Sequence, residues 1–156
     1  MAHEHVNESV ITWQPEKLPV VTCEAHPEWV ALHELAMRTA IGNIEYPSQP
    51  GWLPQLTCMP GQGYIWQWDS CFMTFYARYA NGLLPAMNNL DNLYRLQRDD
   101  GYISMAYDMN TNLEAYGERI NPPLYAWAEW EYYQVTGDAT RFARVLPVLV
   151  RFFDWV

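Results

Sequence analysis

Apolar residues recur at steps of three and four along several stretches of the chain, which is the periodicity of helices with one buried face. The first such stretch starts at Pro27, a residue suited to a first helical turn, and stops at Gly42. A second helix is predicted from a cap at Asp69 or Ser70 to Tyr79. A third begins at Pro85 and turns Met87, Leu90, Leu93, Tyr94 and Leu96 inward, and a fourth runs from Pro122-Pro123 to Val135 with a stop at Gly137. A last helix follows an Asp138 cap, and Pro147 starts or kinks its final turn.

No run alternates apolar and polar residues as a half-buried strand would, so an all-α class is predicted. Antiparallel helix pairs would be joined alternately by short turns and by two long aromatic loops, 43–68 and 102–121. Residues 1–25 are expected to form an arm pinned by Trp13, and residues 26–156 one helical body. Because the last apolar helix has no capping residue before Val156, we expect that the body is truncated there.

Composition narrows the possible partners of this chain. The 156 residues are 50% hydrophobic and 15% aromatic, and the net charge of −9 leaves scattered arginines and one lysine. Nucleic acid and anionic membranes are therefore disfavoured, and no apolar run approaches the ~20 residues of a membrane span. Three widely spaced cysteines and a polar start without a signal-peptide pattern favour a cytoplasmic protein with reduced thiols.

Aromatic rings and a carboxylate cluster between Gly61 and Phe72, where the chain reads GQGYIWQWDSCF. Sugar rings pack their C–H faces on indole and phenol rings, and a carboxylate accepts hydrogen bonds from sugar hydroxyls. Tyr64, Trp66, Trp68 and Asp69 are therefore candidates for a sugar site. The alternative is that the two tryptophans anchor the core and Asp69 merely caps a helix.

A second polar cluster, Glu118 to Asn121, stands before the Pro-Pro helix start. If helix pairs alternate around a ring, Arg119 and Asn121 face the same loop side as the first cluster. A guanidinium suits the recognition of hydroxyls or carboxylates. The alternative for Arg119 is an exposed loop arginine.

These motifs together resemble those of a known enzyme class. Trp68-Asp69-Ser70-x-Phe72 is similar to a segment of trehalases and to the W-x-W-D signature of glycoside hydrolase family 63, which includes processing α-glucosidases and mannosylglycerate hydrolases. Further motifs follow in the same order up to residue 156. They are Gln97 with Asp100-Gly101-Tyr102-Ile103, Arg119-x-Asn121-Pro122-Pro123, Thr136-Gly137-Asp138, and Phe142 with Leu146-Pro147. Since the trehalase P-G-G-R-F and N-G-x-R segments are not matched, the family 63 branch fits better.

The resemblance implies part of an (α/α)6 toroid, the six-hairpin glycosidase architecture, with the active site at one end. It also implies that Trp68 lines the −1 sugar subsite, that Asp69 binds sugar hydroxyls and that Arg119 lies near the substrate. Tyr64 and Trp66 are expected sugar contacts on the same loop, and Asn121 stands where the family usually has glutamine.

The expected reaction is hydrolysis of an α-glycosidic bond with inversion, in a small glucoside or mannoside. Inverting enzymes hold an acid and a base carboxylate about 6.5–9.5 Å apart. The S-G-x-D motif of the general acid does not occur here, so the acid Asp and base Glu are expected beyond Val156. Without them, the alternatives are a non-catalytic carbohydrate-binding unit or an inactive fragment. A sugar epimerase is a third reading, but its histidine pair is not found in either loop cluster.

No cofactor and no metal site are expected. His3-x-His5 offers two ligands at a solvated start, and no acidic loop has calcium-ligand spacing. Glu129 and Glu131 are interpreted as a solvated helix face. Unpartnered apolar residues in 149–155 predict self-association of the isolated chain.

Overall fold

The helices and strands are described by a computed structural model that covers residues 10–80 and 82–156. Across these residues the chain is mostly helical, with two small sheets. The helices are α1 (Pro27–Gly42), α2 (Gln67–Ala77), α3 (Asn88–Arg95), α4 (Tyr125–Thr136) and α5 (Thr140–Trp155), and the strands are β1 (Ile44–Glu45), β2 (Gln55–Leu56), β3 (Tyr64–Trp66) and β4 (Ala106–Asp108). His3, His5 and the first part of the predicted arm lie outside the described residues.

Local signals set several helix ends where they were predicted. Helix α1 begins at Pro27 and ends at Gly42. Helix α4 stops before Gly137, which adopts a φ of 69° at the C-cap, a conformation that costs glycine little. Trp13 packs against α1, where the guanidinium carbon of Arg38 lies 4.0 Å from the centroid of the Trp13 ring. This contact is the kind expected of a residue that pins the arm to the helical body. The arm's boundary at residue 25 stays a prediction.

Three predicted helix starts were wrong. Helix α3 begins at Asn88 and not at Pro85, and helix α4 begins at Tyr125 and not at Pro122-Pro123. Helix α2 begins at Gln67, not after a cap at Asp69 or Ser70, because the Gln67 N–H donates to the Met105 carbonyl at 2.9 Å and takes over part of the cap's task. Pro147 starts no separate turn, since α5 runs through it. The carbonyl freed by a proline in a helix needs another partner, and water can reach this exposed part of α5.

The expectation that no strand forms was also wrong. β1 pairs with β2 in antiparallel register, with Ile44 opposite Leu56. β3 pairs with β4, with Tyr64 opposite Asp108 and Trp66 opposite Ala106. Each strand has two or three residues, which is too short to show alternation in a sequence.

The directions of α2, α4 and α5 follow from their side-chain contacts. Helices α4 and α5 are antiparallel, because Tyr125 at the start of α4 packs on Phe152 near the end of α5, with ring centroids 5.2 Å apart. Helices α2 and α4 run parallel. The Gln67 side chain at the start of α2 donates to the Pro122 carbonyl just before α4, and Arg78 at the end of α2 pairs with Glu131 further along α4.

Helix α3 completes a second hairpin. Asp91 of α3 pairs with Arg141 at the start of α5, while Gln97 just beyond α3 accepts from Arg151 near the end of α5. Helices α3 and α5 are therefore parallel to each other and opposed to α2 and α4. Two hairpins, α2–α3 and α4–α5, thus lie side by side in the same sense, which is consistent with a segment of a helical toroid. The closed (α/α)6 ring stays a prediction.

The core lies between these two hairpins and the β3–β4 sheet. Leu90 and Leu93 of α3, Ala128 of α4 and Phe152 of α5 are almost fully buried, and Ile65 of β3 closes the same cluster. Of the residues predicted to turn inward, Leu96 is the one that stays half-buried. Packing of α3 therefore follows its predicted apolar face, whereas Trp29, Leu32 and Leu35 of α1 are 56–61% exposed.

A buried ion network overturns the solvated-face interpretation of Glu129. Glu129 is 2% exposed, and the Arg141 guanidinium lies 2.8 Å from its Oε1 and 2.8 Å from Oδ1 of Asp91. The Tyr94 hydroxyl also donates to Glu129 at 3.1 Å. A carboxylate can be buried at this position because these partners replace its hydration. Glu131 is likewise engaged, by Arg78 at 2.6 Å.

Exposed apolar side chains remain on the outer part of α5, where Leu146, Val150 and Phe153 are 48–71% exposed. The expected self-association stays a prediction that these side chains support. No helix of the described residues is long and apolar enough to cross a membrane. Cys23, Cys58 and Cys71 are free thiols.

Candidate functional site

Strand β3 leads directly into α2 and presents two of the predicted aromatic residues on one face. Ile65 is 1% exposed and points into the core, so its neighbours Tyr64 and Trp66 emerge on the opposite face. Their ring centroids lie 5.9 Å apart. Pairing with β4 fixes this alternation, since Ile65 stands opposite the buried Tyr107.

Tyr116 completes this first aromatic patch, and sequence reasoning missed it. Its ring stacks on Trp66 with centroids 5.4 Å apart and an interplanar angle of 30°, and it lies 6.5 Å from Tyr64. The loop returns to this position because the Ala115 N–H donates to the Ala106 carbonyl at 3.1 Å. One tyrosine in an irregular segment shows no pattern that could have revealed this contact.

The indole of Trp66 carries an unmet hydrogen-bonding need. Its Nε1 is buried, and the described residues offer it no acceptor. A buried donor without a partner is costly, and such groups in native proteins call for an explanation. Tyr116 stacks on a face of the same ring.

Trp68 and Asp69 lie in the first turn of α2 and form a second patch. Trp68 is 41% exposed and packs on Phe72, with centroids 5.6 Å apart. Phe72 in turn meets Trp127 of α4 edge to face. Trp68 is therefore not a core anchor, and Asp69 makes no capping hydrogen bond at the start of α2. These observations contradict the core-and-cap alternative for this pair.

The Asp69 carboxylate lies beside the thiol of Cys58, in the loop between β2 and β3. Burial raises the pKa of Cys58 to about 11, and the negative charge of Asp69 contributes to the rise. Glu45 of β1 adds a smaller contribution of the same sign, and its Oε1 accepts the Gly61 N–H at 2.8 Å. Sequence reasoning did not point to Glu45 because it precedes the motif by more than 20 residues.

The Arg119–Asn121 segment meets the start of α2 through the backbone. The Met105 carbonyl accepts from the Gln67 N–H, and the Met105 N–H donates to the Arg119 carbonyl, both at 2.9 Å. The Asn121 N–H donates to Oε1 of Gln67 at 3.0 Å. Arg119 and Trp68 therefore lie at the same end of the hairpins, as the sequence predicted.

The side chains of the six predicted residues do not all meet. Tyr64 and Trp66 share one patch with Tyr116, while Trp68 belongs to the other, and within the described residues no ring contact joins the two patches. The Arg119 side chain is exposed, and it makes no ion pair or hydrogen bond with any of the residues that the structure describes. The site is thus an open surface at the start of α2.

One cavity lies away from this surface. It has a volume of about 630 Å³ and lies at the opposite end of α2 and α4, against Arg78, Tyr132 and Thr136. A second cavity of about 280 Å³ borders Glu45 and Asn110. Neither is lined by a predicted site residue. Within residues 10–80 and 82–156, no three His, Cys, Asp or Glu side chains are grouped so that they could hold a metal ion.

Comparison with known proteins identifies the protein family to which this fold and surface belong. Residues 62–156, which carry both patches and both hairpins, match the family model of the mannosylglycerate hydrolase MGH1-like glycoside hydrolase domain. The chain belongs to this glycoside hydrolase family. The expected relation to family 63-like mannosylglycerate hydrolases is thereby confirmed.

A curated relative comes from Borreliella burgdorferi (strain ATCC 35210), where it is described as an uncharacterized protein. It is 35% identical over 96 residues, which cover 60% of this chain and 20% of the relative. The chain thus spans about a fifth of the length of the relative that it matches.

Proposed function

We propose that this chain supplies the sugar-binding part of an inverting glycosidase that acts on a small α-glucoside or α-mannoside. The observation that carries the proposal is the hydrogen bond from the Asn121 N–H to Gln67 at 3.0 Å, which brings the Arg119 segment to the helical turn of Trp68 and Asp69. Membership in the glycoside hydrolase family supports the same conclusion.

Each proposed side chain offers the chemistry that a sugar needs. The exposed face of Trp68 would pack on the C–H face of a pyranose, with Tyr64 and Trp66 as a second platform. The Asp69 carboxylate would accept from hydroxyls, and Arg119 and Asn121 would donate to hydroxyls or to a substrate carboxylate. Asp69 is thus proposed as a binding residue and not as the general acid.

The catalytic carboxylates are proposed to come from residues after Val156, as the resemblance implies. Inversion requires a carboxylic acid on one side of the glycosidic bond and a carboxylate that activates water on the other, about 6.5–9.5 Å apart. The chain itself would then bind the sugar without cleaving it. The free thiols of Cys23, Cys58 and Cys71 support a proposed location in the cytoplasm.

Titration with sugars tests the proposal directly. Mannosylglycerate, methyl α-mannoside, methyl α-glucoside and trehalose are added to the full-length protein, while tryptophan fluorescence and glycoside hydrolysis are followed. Trp68→Ala and Asp69→Asn are expected to weaken binding at least about tenfold, which corresponds to the loss of one stacking contact or one charge-assisted hydrogen bond.

Trp130→Ala is the matched control, because Trp130 is similarly exposed, at 51%, but lies on α4 against Tyr133. It should bind sugars as the wild type does. A kcat/KM for Asp69→Asn within about twofold of the wild type would remove the proposed role of Asp69. Binding without any turnover by the full-length protein would instead assign a carbohydrate-binding unit.

A further inference from the structure

Gln67 is a fully buried polar residue between two tryptophans of the proposed site. It is 0% exposed and occupies the first position of α2. Both ends of its side-chain amide are engaged: Nε2 donates to the Pro122 carbonyl at 3.1 Å, and Oε1 accepts the Asn121 N–H at 3.0 Å. Both bonds therefore join the Gln67 side chain to backbone groups of the second loop.

The chemistry of these two bonds restricts the residue at this position. An amide has one donor end and one acceptor end, which match one carbonyl and one N–H. A leucine of similar size would leave the Asn121 N–H without its acceptor, and an unpaired backbone donor is costly. The Pro122 carbonyl would keep the Leu124 N–H, which donates to it at 2.8 Å, but would lose its bond to α2. A glutamate would keep the acceptor for Asn121 and lose the donor for Pro122.

Hydrogen bonds of its backbone hold the second loop in place, because its functional side chains make few hydrogen bonds themselves. The Arg119 side chain has no hydrogen bond or ion pair within the described residues. Its backbone is held by the Tyr102 hydroxyl, which accepts from the Arg119 N–H at 2.9 Å, and by Met105. Tyr102 and Met105 fix the segment to the neighbouring loop, whereas the Gln67 side chain fixes it to α2.

We infer that Gln67 is a positioning residue, whose amide holds Arg119 and Asn121 in place relative to Trp68 and Asp69. The inference rests on the proposed function, since it assigns a task within the same sugar site. Gln67 would act through the loop backbone and would not touch the sugar itself. Its removal should therefore weaken sugar binding while every proposed contact residue is still present.

Asn92 of α3 offers a matched control. It is 1% exposed, its Oδ1 accepts the Leu53 N–H at 2.9 Å, and its Nδ2 donates to the Leu53 carbonyl at 3.0 Å. It is thus a buried amide that holds a loop backbone by the same two kinds of bond. The loop around Leu53 carries none of the six proposed site residues.

The experiment compares Gln67→Leu, Gln67→Glu and Asn92→Leu in the full-length protein. Affinity for mannosylglycerate and methyl α-glucoside is measured by fluorescence titration, stability by Tm, and local opening by hydrogen exchange of residues 117–124 and 52–57. Gln67→Leu should weaken sugar binding at least about tenfold, as loss of one site interaction would, and speed exchange in 117–124. Asn92→Leu should lower Tm by a similar amount and speed exchange in 52–57, with sugar affinity within about twofold of the wild type.

The outcomes separate the inference from the proposed function. If the wild type binds sugar and folded Gln67→Leu binds it equally well, the inference is overturned and the proposed function stands. If the wild type binds neither sugar, both fail. If Gln67→Leu does not fold, the milder Gln67→Glu decides: weaker binding with faster exchange in 117–124 supports the inference, and unchanged binding overturns it.

Discussion

Gly101 lies in the turn after α3, directly against the backbone of α5. Its φ is 102°, and a Cβ built on it would lie 2.8 Å from the carbonyl carbon of Arg151 and closer still to the carbonyl oxygen. Ordinary contact begins near 3.4 Å. Gly101→Ala would therefore have to push the turn and the end of α5 apart, in addition to straining the backbone.

The expected cost follows from what that separation would disturb. Positive-φ strain at a non-glycine residue costs about 1–3 kcal/mol. Separation would also stretch the bonds from Gln97 Nε2 to the Gly101 and Val148 carbonyls, both 2.9 Å long, each worth about 1 kcal/mol. We expect Gly101→Ala to lower the free energy of unfolding by about 3 kcal/mol or more.

Gly137 supplies the control, because its φ of 69° is also positive but no atom lies within 4 Å of a Cβ there. Gly137→Ala should cost only the left-handed strain, about 1–2 kcal/mol. Gly101→Asn separates the two causes. Asparagine tolerates positive φ better than alanine, but its Cβ meets Arg151 in the same way, so it should give no rescue at Gly101.

Urea unfolding, followed by tryptophan fluorescence, would measure these differences. Hydrogen exchange of residues 97–103 and 148–156 would locate them, since both segments should open more easily in Gly101→Ala. Equal stability of Gly101→Ala and Gly137→Ala, to within about 0.5 kcal/mol, would refute the argument from close approach.

Two further predictions concern titrating groups. Because the pKa of Cys58 is raised to about 11, its exposed thiol should react slowly with iodoacetamide at pH 8, where about 0.1% is thiolate. Asp69→Asn should lower that pKa and speed the reaction as measured by mass spectrometry, and an unchanged rate would contradict the placement of Asp69 beside Cys58. Hydrogen bonds from Arg78 and Trp127 lower the pKa of Glu131 below its ordinary 4.5. These bonds therefore stabilise the folded protein fully above pH 4.5, and the stabilisation is lost as the pH falls through the lowered pKa. The Tm difference between the wild type and Glu131→Gln should therefore close at acid pH, and a difference that persists there would refute the pairing.

Most helix positions in this chain can be predicted from the sequence, because the signals that set them are local. Pro27 and Gly42 bound α1, and Gly137 ends α4, since each residue acts through its own backbone preference. The start of α2 was not legible. It depends on a hydrogen bond from Gln67 to Met105, which is 38 residues away.

The candidate site shows the same division. The motif around Trp68 and Asp69 and the order of the following motifs were enough to predict the glycoside hydrolase family, which the family match confirms. Tyr116 could not be predicted, because its place on Trp66 arises from strand pairing between distant segments. Glu129 was misinterpreted because its partner Arg141 belongs to another helix.

The sequence alone determined where helices form, which of their faces are apolar and which side chains have the chemistry to bind a sugar. Only the tertiary structure decided how those side chains are grouped, through the parallel placement of α2 and α4 and the buried amide of Gln67. The physical reason is range. Backbone preference and periodicity act within a few residues, whereas a hydrogen bond between segments 54 residues apart leaves no mark on the local pattern of either.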